Sequence, residues 1–192
     1  MVTGAPGLGA TTLALALLAA PSATGSWCGI VGLADPGVVA MAELGIDLGH
    51  VALVPRPRGG WADAVGELSG GVDVLLVQPP GHCRPSLARR LVTRSRERQT
   101  ALVVLVDRAE AWPEGPDLTL RVSGAAWHGL GVGHGHLRRR LVDVEAVGRR
   151  SAVRTLSCRL WLPSDSGDVT EVSEPPPGLA ESSDGFFCEG PV

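Results

Sequence analysis

The segment Gly4 to Thr12 reads GAPGLGATT, and its glycine spacing is that of a loop built to hold phosphate. In the pattern Gly-x-x-x-x-Gly-Lys-Ser/Thr, glycines let successive backbone N–H groups converge on phosphate oxygens. The lysine neutralises the β- and γ-phosphates, and the hydroxyl holds Mg²⁺. Gly4, Gly9 and Thr11 meet the pattern, Thr12 follows with a second hydroxyl, and Ala10 stands where the lysine belongs. No lysine elsewhere can reach in as a substitute, because all 17 cations of the chain are arginines. A second role can be checked independently. Magnesium in such a site is supported by an aspartate at the end of a later apolar strand, and the apolar run VDVLLVQPP ends instead in the neutral amide of Gln78. With Ala10 and Gln78 together, the loop is read as one kept for its fold. No catalytic residue, bound cofactor or ATP hydrolysis is expected.

Other residues with chemical potential are arginines, histidines and cysteines. Arg84, Arg89, Arg90, Arg94, Arg96 and Arg98 fall within fifteen residues, and Arg138, Arg139 and Arg140 form a second cluster with Arg149 and Arg150 nearby. Such clusters suit contact with DNA phosphates or an acidic partner; the alternative for the first is a solvated helix face whose apolar side, Leu87 and Leu91, packs on a sheet. Few aromatics interleave with them, which favours backbone contact over base stacking. His128, His134 and His136 lie close in a glycine-rich stretch, but no cysteine or carboxylate stands at a metal spacing beside them, and no metal site is expected. Cys28, Cys83, Cys158 and Cys188 are scattered and read as isolated thiols. Trp27 and Trp161 read as core residues in strands. Trp112 and Trp127 fall in expected loops, where an exposed indole could anchor a partner.

These residues must be positioned by an alternation of short elements. Strands are expected at SWCGIVGL, VALVP, VDVLLVQPP and ALVVLV. Helices are expected at ATTLALALLAA (ending before Pro21), VVAMAELG, Trp61 to Leu68 and RPSLARRLVTRSRERQ. Strands alternating with helices argue for an α/β fold with a mainly parallel sheet flanked by helices. After Val106 the pattern turns to strands without helices: DLTLRV, RRRLVDVEAV and VRTLSCRLWLP. In the second, Val142, Val144 and Ala146 share one face and Asp143 and Glu145 the other, which predicts half-buried antiparallel C-terminal edge strands. Only Met1, Val2 and Thr3 precede the loop. The first strand is therefore short, or the assigned start lies downstream of the real one.

At 192 residues the chain is the size of one domain. Residues 1–163 are expected to form it, and residues 164–192, rich in Ser, Asp, Glu, Gly and Pro, to form an acidic disordered tail carrying an isolated Phe186–Phe187 pair. From Pro163 onward there are seven acidic and no basic residues, leaving the preceding 162 residues with 17 arginines against 13 acidic groups, a net of +4. No apolar run approaches the roughly 20 residues of a membrane span, and no basic residue precedes the first apolar run as in a secretory signal. A cytoplasmic location is expected.

The succession GAPGLGATTLALALL, WCGIVGLADPGVVAMAELGIDLGHVALV, GGVDVLLVQPP and QTALVVLVDR resembles the core of the bacterial recombinase RecA. It resembles more closely the RecA-like ImuA group, the mutasome accessory proteins of actinobacteria written ImuA-prime. AAWHGLGVGHGHLRRRLVDVEAVGRR followed by RLWLP is similar to the ImuA-type C-terminal strands, so the resemblance spans about Val2 to Pro163. It implies a RecA-like P-loop core. It also implies a non-catalytic adaptor in a DNA-damage-induced translesion assembly, with an ImuB-like inactive Y-family protein, an error-prone C-family DNA polymerase and RecA as partners. The recombinase's catalytic glutamate is replaced near Ala34, with Asp35 beside it. Two alternatives are an ATPase of the same fold with displaced catalytic residues and a SulA-like cell-division inhibitor.

Overall fold

The computed structural model describes residues 1–57, 59–130, 135–149 and 155–172. A nine-stranded sheet runs through it in the order β3-β2-β4-β5-β1-β6-β7-β8-β9. The strands are β1 (Val2–Thr3), β2 (Cys28–Val31), β3 (Val51–Val54), β4 (Val74–Val77), β5 (Ala101–Val106), β6 (Leu118–Leu130), β7 (Gly135–Gly148), β8 (Leu156–Trp161) and β9 (Thr170–Glu171). The first six pair in parallel, β3 through β6; β6 to β9 pair antiparallel. The division follows from the chain. Unbroken apolar runs such as Val74–Val77 need cover on both faces, whereas Leu141–Ala146 alternates and needs cover on one.

Helices supply that cover on opposite faces. The helices α1 (Ala10–Ala16), α2 (Ala19–Ala23) and α3 (Val38–Glu43), with Leu18 at the α1–α2 junction, bury Leu13, Ala14, Leu18 and Met41 against Ile30, Leu76, Leu105, Val122, Val142 and Leu162. On the other face, α4 (Trp61–Leu68) and α5 (Pro85–Glu97) pack Val65, Ala88 and Leu91 on Val31, Leu75, Val77 and Val104. Helix α5 begins with proline at its first turn, where the missing N–H costs nothing. Its buried residues Ala88, Leu91 and Ser95 make one narrow stripe, so the arginines are left to solvent. The single helix expected from Ala10 to Ala20 is broken in two. The Leu18 N–H bonds back to Leu15 O at 2.8 Å, a tightened turn that ends α1, and Pro21 then sits in the first turns of α2, where it is tolerated.

The long β6–β7 hairpin turns its core face with Val122, Val142 and Val144 buried. A bulge between Val122 and Gly124 re-aims β6; a β-carbon at Gly124 would meet Asp143 Oδ2 at 2.6 Å. The ion pairs Arg121–Glu145, across this hairpin, and Arg159–Asp143, between β8 and β7, link neighbouring strands. The fold also continues past the expected boundary at Pro163. Ser164 is buried, its N–H donates to Asp168 O at 2.8 Å, and β9 adds to β8. Residues 164–172 are tied to the folded body by that pairing, by the Arg139–Asp165 ion pair at 3.1 Å and by the Val172 N–H bond to Arg159 O at 2.9 Å. The rest of the expected tail, with Phe186, Phe187 and Cys188, lies outside the described residues.

Candidate functional site

The loop Gly4–Gly9 leaves the C-terminal end of β1, which lies between β5 and β6 at the centre of the sheet. Ligands of open α/β sheets gather at this edge. Gly4 sits so tightly that a β-carbon there would meet Val122 O at 3.0 Å and the Ala10 β-carbon at 3.2 Å. Gly7 and Gly9 hold positive φ of 86° and 105°, which L-residues with side chains rarely adopt. These glycines let the chain turn tightly between β1 and α1.

Position 10 does not supply the chemistry. Ala10 is 6% exposed and part of the apolar core, so its methyl fills space beneath the loop. Thr11 is exposed and Thr12 partly covered. The cation that does reach the loop comes from β7. The guanidinium of Arg140 lies against Gly9, where a β-carbon would stand 2.7 Å from Nη2. Its Nη2 donates to Thr12 Oγ1 at 2.9 Å and its Nε to Leu162 O at 3.0 Å, while Cζ lies 4.9 Å from the Trp127 ring centre. Arg140 is 7% exposed, and burial pushes its pKa down, although an arginine stays protonated. It cannot belong to an exposed DNA-facing surface. The sequence carried a signal for this: in β7, Arg140 shares the parity of Val142 and Val144, the core face.

Beside the loop, β4 and β5 end at an open cleft of about 470 Å³ lined by Gln78, Pro79, His82, Asp107, Arg108 and Glu110. Gln78 N–H donates to Val31 O at 2.9 Å, and its carbonyl lies so close to Gly32 that a side chain there would collide with it. Asp35 is exposed in the loop after β2, next to exposed Ala34. Among the described residues, no group of three or more His, Cys, Asp or Glu could hold a metal. His128 packs edge-on to Trp161 with ring centres 5.0 Å apart, His136 lies in β7, and His134 is outside the described residues.

The chain belongs to the MT3502 N-terminal domain family. The match covers residues 2–114, which takes in β1 to β5 with the whole loop and stops short of β6. Over 116 residues, 60% of this chain, it is 31% identical to the uncharacterized protein Rv3395c of Mycobacterium tuberculosis. That stretch is 56% of the relative, so the chain spans little more than half of the relative's length.

The remaining arginines are divided. Arg84, Arg89, Arg90, Arg94, Arg96 and Arg98 are all exposed on or beside α5. Arg89 pairs with Glu114 at 3.1 Å, Arg94 with Glu67 at 3.8 Å and Arg96 with Asp117 at 3.2 Å. Arg84, Arg90 and Arg98 form no ion pair among the described residues. Arg138 is exposed; Arg139 pairs with Asp165 at 3.1 Å and lies 4.1 Å over the Trp161 ring. The tryptophans differ from expectation. Trp112 is 5% exposed inside the α4–α5 core, because the turn after β5 folds back under the sheet. Trp27 precedes β2, stands exposed and contacts His50. Trp127 lies in β6 rather than a loop, half exposed beside Arg140. Trp161 is in β8 and half-buried. Cys28 and Cys83 are buried free thiols and Cys158 is half-buried; burial raises the pKa of each. Among the described residues no helix is long and apolar enough to cross a membrane.

Proposed function

We propose that this protein is a non-catalytic adaptor with a RecA-like core that joins a DNA-damage-induced translesion assembly in the cytoplasm. One observation carries the reading: a glycine-rich loop at the C-terminal end of a central parallel strand, with Ala10 sunk into the core where the motif's lysine would stand and Arg140 covering its flank. Phosphoryl transfer rests on preorganised positive charge at the γ-phosphate and on a supported metal ion. Gln78 in place of the aspartate weakens the second as Ala10 removes the first. The ordered succession of motifs that resembles the ImuA group supports the choice of pathway, and with it partners of three kinds: an inactive Y-family-like protein, an error-prone C-family polymerase and RecA. Arg84, Arg90 and Arg98, which no carboxylate neutralises among the described residues, are the cations on or beside α5 best able to meet DNA or an acidic partner.

A second reading, an ATPase with displaced residues, draws on Arg140, a cation that touches the loop from another strand. The two readings separate in one experiment. Purified protein is assayed for ATP turnover with Mg²⁺, and Thr11→Ala is carried through a damage-induced mutagenesis assay. The adaptor reading expects turnover at blank level and a Thr11→Ala strain that mutates like its parent. Metal-dependent turnover lost in Thr11→Ala would overturn it in favour of the ATPase.

A further inference from the structure

Helices cover only half of one sheet face. Ala126, Leu141 and Trp161 form one row across β6, β7 and β8. Because successive side chains of a strand point to opposite faces, this row lies on the side away from buried Val142, which packs with Leu13 and Leu105. That is the side of α4 and α5. Among the described residues, the core under those two helices draws on β2, β4 and β5 but takes nothing from β6, β7 or β8. The row is therefore uncovered, yet it is apolar. Leu137, two positions before Arg139 in β7 and sharing the parity of Leu141, extends it and is 51% exposed. Ala126 is exposed, and Leu141 and Trp161 are half-buried. Polar groups rim the strip: Arg139 lies 4.1 Å over the Trp161 ring on one side, and the Arg159–Asp143 ion pair closes the other. A face made only to meet water would carry polar residues in that row as well.

We propose that this strip is the docking site of the chain's own carboxy-terminal tail, with Phe186 and Phe187 packed on Leu137, Leu141 and Trp161. The position of the tail selects it first. Val172, the last of the described residues, donates its N–H to Arg159 O at 2.9 Å, and Arg159 stands two residues from Trp161 in β8, about 7 Å along the strand. From Val172 to Phe186 the chain can span up to about 46 Å at roughly 3.3 Å per residue, ample for crossing strands about 4.8 Å apart. Composition selects it next. Both phenylalanines of the protein stand side by side in ESSDGFFCEGPV, a stretch otherwise poor in large apolar groups, and aromatic rings bring large contact area at low entropic cost. Tethering adds the energetic reason. A short linker gives an effective concentration of about 1 mM, so a contact with an intrinsic dissociation constant of about 1 mM, negligible between separate molecules, is half occupied within one.

The test is residue-resolved hydroxyl-radical labelling of the full chain and of two full-length double variants, Phe186→Ser with Phe187→Ser and Phe186→Tyr with Phe187→Tyr. The serine variant is expected to raise labelling of Leu137, Leu141 and Trp161 by about twofold or more, the change that half occupancy gives, and about tenfold dilution of the parent should alter nothing. Trp27 and Val39, exposed elsewhere, should stay as they were. The tyrosine variant keeps both rings and should label like the parent. Unchanged labelling of the strip in the serine variant overturns the proposal and leaves this face to water. An equal rise at Trp27 and Val39 overturns it as well, since that is a general loosening of the fold. Protection that fades on dilution also overturns it and assigns the strip to a second copy of this chain.

Discussion

Arg140 is the residue whose removal tests the architecture of the loop most directly. Arg140→Met keeps much of the apolar stem but removes the Nε bond to Leu162 O and the Nη2 bond to Thr12 Oγ1. Hydrogen bonds from charged donors contribute about 1.5–3 kcal/mol each, and an orphaned buried acceptor costs about 1–3 kcal/mol. Leu162 is fully buried, so its carbonyl has little recourse to water. Against this stands relief from desolvating a guanidinium, which cancels part of the gain. The net expectation is a loss of about 2–4 kcal/mol, read as a lower urea midpoint at unchanged slope, or a melting temperature lower by roughly 5–15 °C for a domain of this size. Arg140→Lys should recover less than half of the loss, because one ammonium cannot reproduce the two bonds of a planar fork. A double-mutant cycle with Thr12→Val should return a coupling of about 1 kcal/mol. If Arg140→Met stays within about 0.5 kcal/mol of the parent, Arg140 does not hold β7 to the loop and the reasoning fails.

Chain truncation gives a second check: ending the chain after Val172 should leave cooperative unfolding unchanged, whereas ending it after Pro163 strips β9 and the Ser164–Asp168 turn and should lower stability by about 1–3 kcal/mol, with equal midpoints arguing against the packed role of 164–172. Acid unfolding probes two exposed carboxylates. Asp47, hydrogen-bonded by His50 and the Gly49 N–H, and Asp168, hydrogen-bonded by Ser164 and Ser166, are both held below the ordinary 3.8, so the unfolded chain binds more protons in that range. Their contribution is full above about pH 5 and is lost as the pH falls through the folded values; Asp47→Asn and Asp168→Asn should each flatten the acid limb of a stability–pH curve. In the mutagenesis assay, reversal of Arg84, Arg90 and Arg98 to Glu should lower activity with the fold intact, and added salt should weaken the same contact in a binding assay. Reversal of Arg89 and Arg94, already paired with Glu114 and Glu67, should do less; equal effects would show that the ion pairs do not set which arginines are available.

Local pattern was enough to read the α/β alternation, the span of α4 and the antiparallel pairing of β6, β7 and β8, but not that β6 also pairs in parallel with β1 and so lies inside the sheet instead of at its edge. Each rests on periodicity or on the length of an apolar run, which neighbours in sequence determine. Ala10 and Gln78 were legible for the same reason, since a missing ammonium or carboxylate is missing in any fold. Trp112 and Arg140 were not placed correctly, and the cause is tertiary in both. Nothing near Trp112 says that the turn after β5 folds back beneath the sheet, and the parity that puts Arg140 beside Val142 does not say that Gly9 and Thr12, 128 residues away from it in the case of Thr12, lie across from it. The sequence by itself determined which chemical groups the loop has and lacks. Only the tertiary structure decided which of the arginines is buried against that loop, which are neutralised by carboxylates and which face water, because burial and ion pairing depend on distances between elements that strand order and register bring together.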